Sequence, residues 1–378
     1  MGQETTIHQR LEKPKKEERM LGMDVLKILS MFMVLLLHVN GAGGILWNAT
    51  TFETHWWIAH AMEHICIVAV NLFAMASGFL CFGRKWQIKK LLALWLQVFF
   101  YCLTITVIFM AIEGTDTVTW GDFGKAFIPV LDGQYWYFTS YFLLFFAIPM
   151  LNWAIERFTK RQALFFLGVV GFLLTIGTSI GDAFSVRTGY NAFWLGYLYL
   201  IGAFVKKYDF NFRVGKKGVP AWVYAILYLA LVTVGLLRMA HFHKYYDESP
   251  QYGYTFPLHF LGSVALFLCF SRIKKRSNKV VAVLSNAAFG VFLIHTHDFT
   301  MDCLSGSIKE WLEWNPWGML GGMLLLALLI YLTCTIIEIL RQLLFKGIRI
   351  PKLLNWIQKK FDIVFEKKDE EREVSTEK

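Results

Sequence analysis

The sequence predicts an all-α fold, a polytopic transmembrane bundle of about ten helices with both termini cytoplasmic. Three observations point there. Of 378 residues, 56% are hydrophobic and only 17% charged, against roughly a quarter charged in soluble proteins. Apolar stretches close to the ~20 residues that cross a bilayer recur from end to end. Lys and Arg gather in alternate loops, as retained cytoplasmic loops require.

The apolar runs fall at 25–46, 58–80, 91–112, 136–151, 163–180, 191–205, 219–237, 256–271, 281–296 and 317–344. The first follows a basic leader that also carries acidic residues and lacks a small-residue cleavage site, so it reads as a retained helix. The second opens at Trp56/Trp57, an interfacial pair, and is followed by the basic group GRKWQIKK (83–90), after which the third begins. The fourth enters through QYWYFTSY (134–141) and is short, as is the sixth. Basic clusters at Arg157/Lys160/Arg161, at Lys206 to Lys217 and at Arg272 to Lys279 separate the fourth from the fifth, the sixth from the seventh and the eighth from the ninth. The ninth ends in FGVFLIHTHDF, and the tenth is the longest.

Arg10, Lys13, Lys15, Lys16 and Arg19 place the leader in the cytoplasm, whereas the loops at 47–57, 113–135, 181–190, 238–255 and 297–316 hold only Lys125, Arg187, Arg238, Lys244 and Lys309 and face outward. The domain plan is a leader at 1–20, a transmembrane domain at 21–345 and a charged cytoplasmic tail at 346–378, amphipathic helix first and disorder after it. The net charge of +10 follows this topology and does not indicate nucleic acid. The six cysteines are scattered without a CxxC pair, five of them inside or at the ends of apolar runs, so they read as small apolar side chains, with no disulfide frame or zinc site. Neither an internal repeat nor a Gly/Pro-broken helix pair of the transporter kind is visible.

Ionisable groups inside a span are costly and usually face the bundle interior. In MDVLKILSMFMVLLLHVNG (23–41), Lys27 and His38 are eleven residues apart. That spacing returns to within about 20° on a helix and separates them by roughly 16 Å along its axis, one face at opposite ends. Asp24 lies on the same side and is a candidate partner of Lys27. In the second run His60, His64 and Asn71 fall on one stripe with Glu63 beside them. His60 to His64 also spells HxxEH, a zinc-protease pattern, but no third ligand is evident, and no metal is expected. Tyr135 and Trp136 form either an interfacial belt or a stacking platform for a sugar ring. His295 stands in the ninth apolar run, and Arg84, Lys85 and Lys89 either mark the loop as cytoplasmic or hold phosphates of a cytosolic donor.

Over Arg19 to about Phe345 these motifs, in this order, resemble the bacterial integral-membrane acyltransferase family 3. The carriers are Lys27, ten residues and His38; NLFAMASGFL (71–80) with basic residues from Arg84; QYWYFTSYFLLFFAIPMLN (134–152); and FGVFLIH (289–295). The residue usual in the family at position 27 is arginine, and lysine offers a point charge in place of a bidentate fork.

The resemblance implies an O-acyltransferase of the cell membrane that moves an acyl group, acetyl from acetyl-CoA above all, to a hydroxyl of an extracytoplasmic or lipid-linked glycan. His38 is then the expected general base or transient acyl carrier, with Glu63 or His64 orienting it or the acceptor. Lys27, Arg84, Lys85 and Lys89 are the expected donor-binding cations, and Asn71, Tyr135, Trp136 and His295 the expected acceptor contacts. The expected partners are acyl-CoA, the glycan and membrane lipid. The rival class is a transporter or flippase of a lipid-linked sugar or small solute, for which intramembrane Lys, Glu and His would also serve.

Overall fold

The computed structural model describes residues 19–182, 184–186, 188–246 and 253–376. Arg10, Lys13, Lys15, Lys16 and Arg187 of the topology reading lie outside the described residues, as do the last two residues of the tail. The apolar runs are helical over most of their length, although the first leaves the helix after Gly41 and runs through turns to residue 46. The main helices are α1 (Leu21–Gly41), α2 (Thr54–Cys66), α3 (Ala69–Cys81), α4 (Ile88–Glu113), α5 (Trp136–Arg157), α6 (Lys160–Phe172), α7 (Ala192–Tyr208), α8 (Ala221–Tyr246), α9 (Pro257–Ser271), α10 (Lys279–His295), α11 (Pro316–Gly347) and α12 (Ile350–Thr376). The strands among the described residues are the two-residue pair Arg213–Val214 and Lys217–Gly218.

Seven of these segments are long and apolar enough to cross a membrane: α1, α2 with α3, α4, α5, α6 with its continuation to Ile180, α8 and α11. Helices α7, α9 and α10 have 17, 15 and 17 residues, about 23 to 26 Å at 1.5 Å per residue against a hydrocarbon core of about 30 Å. Beyond α10 the chain bends by 79° into Asp298–Glu313. The second apolar run is two helices, interrupted by a turn at Ile67 and Val68.

Helix α1 is the axis of the bundle and packs against α2, α3, α9, α10 and α11. An apolar surface on every side is what a helix surrounded by others requires. At its start, unsatisfied N–H groups donate into the loop after α9, Leu21 N to Lys275 O at 2.7 Å and Gly22 N to Ile273 O at 3.2 Å. Just past its other end, Gly306 N donates to Ala42 O at 2.8 Å and Ile308 N to Gly43 O at 3.2 Å. Fixed at both ends, α1 holds Lys27 and His38 at a constant height.

Helices α3 and α7 approach backbone to backbone. A Cβ at Gly78 would strike the Tyr199 carbonyl, and one at Gly202 would strike the Met75 carbonyl. Small residues at such crossings are how membrane helices gain van der Waals contact without a hydrophobic driving force. A buried ionic cluster ties α4 to α11: Glu338 accepts from Arg341 Nε at 2.8 Å and Nη2 at 2.6 Å, from Tyr101 Oη at 2.7 Å and from Gln97 Nε2 at 3.1 Å. Gly290 of α10 lets that carboxylate lie against it, since a Cβ there would stand 2.5 Å from Glu338 Oε2.

The tail turns sharply at Arg349, φ 63°, and α12 packs back on the start of α4. Its face meets Trp86 through Phe361, ring centroids 6.0 Å apart.

Candidate functional site

The sequence spacing of Lys27 and His38 translates into a shared cavity of about 300 Å³ between α1, α3, α5 and α10. Lys27 lines it near one end and His38 lines it further along α1, with Ser77, Tyr137, Asn286 and Phe292 among the wall residues. Asp24 does not take Lys27 as the spacing suggested. Its carboxylate accepts from Arg19 Nε at 2.9 Å and from Ser285 Oγ at 2.8 Å instead. Among the described residues Lys27 has no hydrogen-bond partner; it feels the Asp24 charge without pairing with it, and its side chain borders the cavity.

A second cavity of about 240 Å³ adjoins the first, and Lys27 and Asn286 line both. Arg19, Arg84 and Lys206 line this second space with Asp24. Among the described residues its lining holds four cations and one carboxylate, a cation-rich vestibule in which Arg19 already donates to Asp24 and to Asn286 Oδ1 at 2.9 Å. Lys85 and Lys89 are not part of it. Lys85 lies 4.0 Å from Asp362, and Lys89 Nζ donates to Asn355 Oδ1 at 3.0 Å, so both engage α12.

His38 meets His295. His38 Nδ1 lies 3.0 Å from His295 Nε2, and His295 Nδ1 lies 2.6 Å from the Val291 carbonyl one turn back on α10. His295 is buried and His38 half-buried. Tyr135 contributes to the same region from behind: it is buried and its hydroxyl donates to Leu293 O at 2.9 Å. Trp136 instead lines the His38 cavity, at the end away from Lys27. There it lies 4.3 Å from Tyr190 and stacks at 20° on Tyr254, 5.9 Å between centroids. Tyr190 is exposed and Tyr254 lines the cavity, so aromatic faces run from the surface inward.

Asn71, Glu63 and His64 stand apart from the cavity wall. Asn71 is fully buried and satisfied, donating to Tyr254 O at 2.9 Å and Ser263 Oγ at 3.2 Å while accepting from Trp194 Nε1 at 2.9 Å. It holds the Tyr254 loop in place. Glu63 accepts from Asn40 Nδ2 at 3.3 Å. His64 donates from Nδ1 to His60 O at 2.9 Å and packs edge-on against His259. Among the described residues no group of three or more His, Cys, Asp or Glu converges as a metal site.

Sequence reasoning did not reach Arg19, Lys206, Asn286, Tyr190 and Tyr254 as site residues. Asn286 carried a usable signal, an amide inside an apolar run, whereas Tyr254 sits in a loop with nothing local to mark it.

A family profile described as an acyltransferase domain matches residues 20–338. The chain belongs to acyltransferase family 3. The match takes in every lining residue of both cavities except Arg19, and every helix from α1 to most of α11, and stops at Glu338, before α12. No curated protein and no solved structure matches the chain. Membership of an acyltransferase family and seven membrane-grade helices make this a multi-pass membrane acyltransferase.

Proposed function

We propose that the chain is an O-acyltransferase of the cell membrane that passes an acyl group, acetyl first of all, from cytosolic acyl-CoA to a hydroxyl of an extracytoplasmic or lipid-linked glycan. The observation that carries the reading is the shared lining: Lys27 borders both the cation-rich vestibule and the cavity that contains His38. With the basic loops inside, the vestibule faces the cytoplasm and the Trp136 end faces outward. Lys27, Arg84 and Lys206 attract the donor's phosphates, and the flexible pantetheine arm spans the roughly 16 Å to His38. Trp136, Tyr190 and Tyr254 offer ring faces to a sugar.

A sugar hydroxyl is a poor nucleophile near neutral pH and needs a base. In the reaction His38 takes the hydroxyl proton as the oxygen attacks the thioester carbonyl carbon. A C–O bond forms, the C–S bond breaks, and the proton passes from His38 to the departing CoA sulfur. The acyl group thereby crosses the membrane while CoA stays in the cytoplasm.

Two measurements test this. Reporters at Arg276 and Gly306 are expected to read cytoplasmic and extracytoplasmic respectively; the reverse would put the vestibule on the wrong side for a cytosolic donor. Lys27→Ala is expected to raise the KM for acetyl-CoA about tenfold or more, the loss of one charge-assisted phosphate contact, while Lys27→Arg keeps activity. An unchanged donor KM in the alanine variant would reduce Lys27 to an interfacial anchor.

A further inference from the structure

We infer that His295 is a positioning residue that holds His38 as its Nδ1–H tautomer, so that Nε2 of His38 is the nitrogen free to take a proton in the cavity. The inference rests on the reading of His38 as the base, and adds what sets its protonation pattern.

The hydrogen bonds leave one consistent assignment. The Val291 carbonyl can only accept, so His295 Nδ1, 2.6 Å away, carries a hydrogen. A neutral imidazole carries one ring N–H, which leaves a lone pair on His295 Nε2. That lone pair faces His38 Nδ1 at 3.0 Å. The hydrogen between the rings therefore belongs to His38 Nδ1, and His38 Nε2 is left as an acceptor on the opposite edge of the ring. Reversing the donor would require His295 to be an imidazolium. No carboxylate forms an ion pair with either ring among the described residues, and an isolated charge inside a span is costly.

Position follows the same logic. His295 lies in the last turn of α10 and is buried, whereas His38 lines the cavity. The ring that faces inward to α10 is thus the orienting one, and the ring that borders the open space is the reactive one. When His38 Nε2 takes the hydroxyl proton, Nδ1–H keeps donating to His295, whose lone pair steadies the new positive charge. This is the role a carboxylate plays beside the histidine of a Ser-His-Asp triad, taken here by a neutral ring. The histidine regains its neutral form without any proton leaving His295.

The test is nitrogen NMR of ring-labelled histidine in the full chain, in lipid nanodiscs, with the His38 signals assigned by their loss in His38→Gln. The expected wild-type spectrum shows a protonated Nδ1 and an unprotonated Nε2 for His38. His295→Leu, which removes the acceptor, is expected to let Nε2–H appear and to lower kcat by about 10²-fold with the acetyl-CoA KM unchanged. His295→Gln, whose side-chain oxygen reaches the place of the imidazole Nε2, is expected to restore the tautomer and most of kcat. A wild-type His38 protonated at Nε2 overturns the inference, as does an unchanged tautomer in His295→Leu. Should His295→Leu fail to insert, the wild-type spectrum and His295→Gln still decide. The expected tautomer together with full activity in a His38 variant would overturn the base assignment instead and leave the pairing intact.

Discussion

Replacing His38 by alanine is expected to lower acyl transfer by about 10²- to 10⁴-fold, the usual cost of losing a general base, while expression and membrane insertion stay near those of the parent. The chemistry loses its proton acceptor, whereas the fold loses little. His38 is only half-buried at a cavity wall, so truncation extends a space that already exists and opens no closed void. The ring it leaves behind, His295, retains its bond to Val291. Purified variant and parent at matched concentration in lipid, supplied with acetyl-CoA and a glycan acceptor, give the comparison. Activity within a few-fold of the parent would move the base to another group.

The largest loss of stability is expected from Arg341→Met. Glu338 is buried and the Arg341 side chain is 9% exposed, and the carboxylate collects five hydrogen bonds, two from Arg341 and one each from Tyr101, Gln97 and Gln342. Removing one partner of a buried ion pair strands the other charge and costs about 3 to 5 kcal/mol. The unfolding midpoint in detergent is expected to drop accordingly. Adding Glu338→Gln to that variant removes the stranded charge and still offers Tyr101 and Gln97 an acceptor, so the double variant is expected to recover most of the loss. A single variant within about 1 kcal/mol of the parent would show that the ionic pair does not hold α4 to α11.

Much of this was legible in the chain, and the rest was not for definite physical reasons. Lys27 and His38 share one unbroken helix, so their wheel positions and rise carry over directly to the shared cavity. The stripe of His60, His64 and Asn71 crosses the turn at Ile67 and Val68, yet His64 and Asn71 still meet one neighbour, at His259 and Ser263 of α9; what the wheel does not show is that this stripe stands apart from the cavity lining. Lys85 and Lys89 read as free donor contacts because nothing local announces that α12, more than 250 residues later, folds back on them. The meeting of His38 and His295 spans 257 residues and is encoded only by the packing of α1 on α10. Composition and charge alternation gave the membrane class because they depend on sums over segments; pairings across the bundle depend on single contacts.

The glycine crossing of α3 and α7 makes one side of the reaction chamber a stiff plank. Val70, Phe73 and Ser77 project into the chamber from the same helix that meets Tyr199 and Gly202 backbone to backbone. Turning this helix so that a larger residue took the place of Gly78, or of Gly202 across from it, would drive a side chain into a carbonyl at either of two places about one turn apart. In the proposed reaction the donor must then do the bending, which a slender, rotatable pantetheine arm can do.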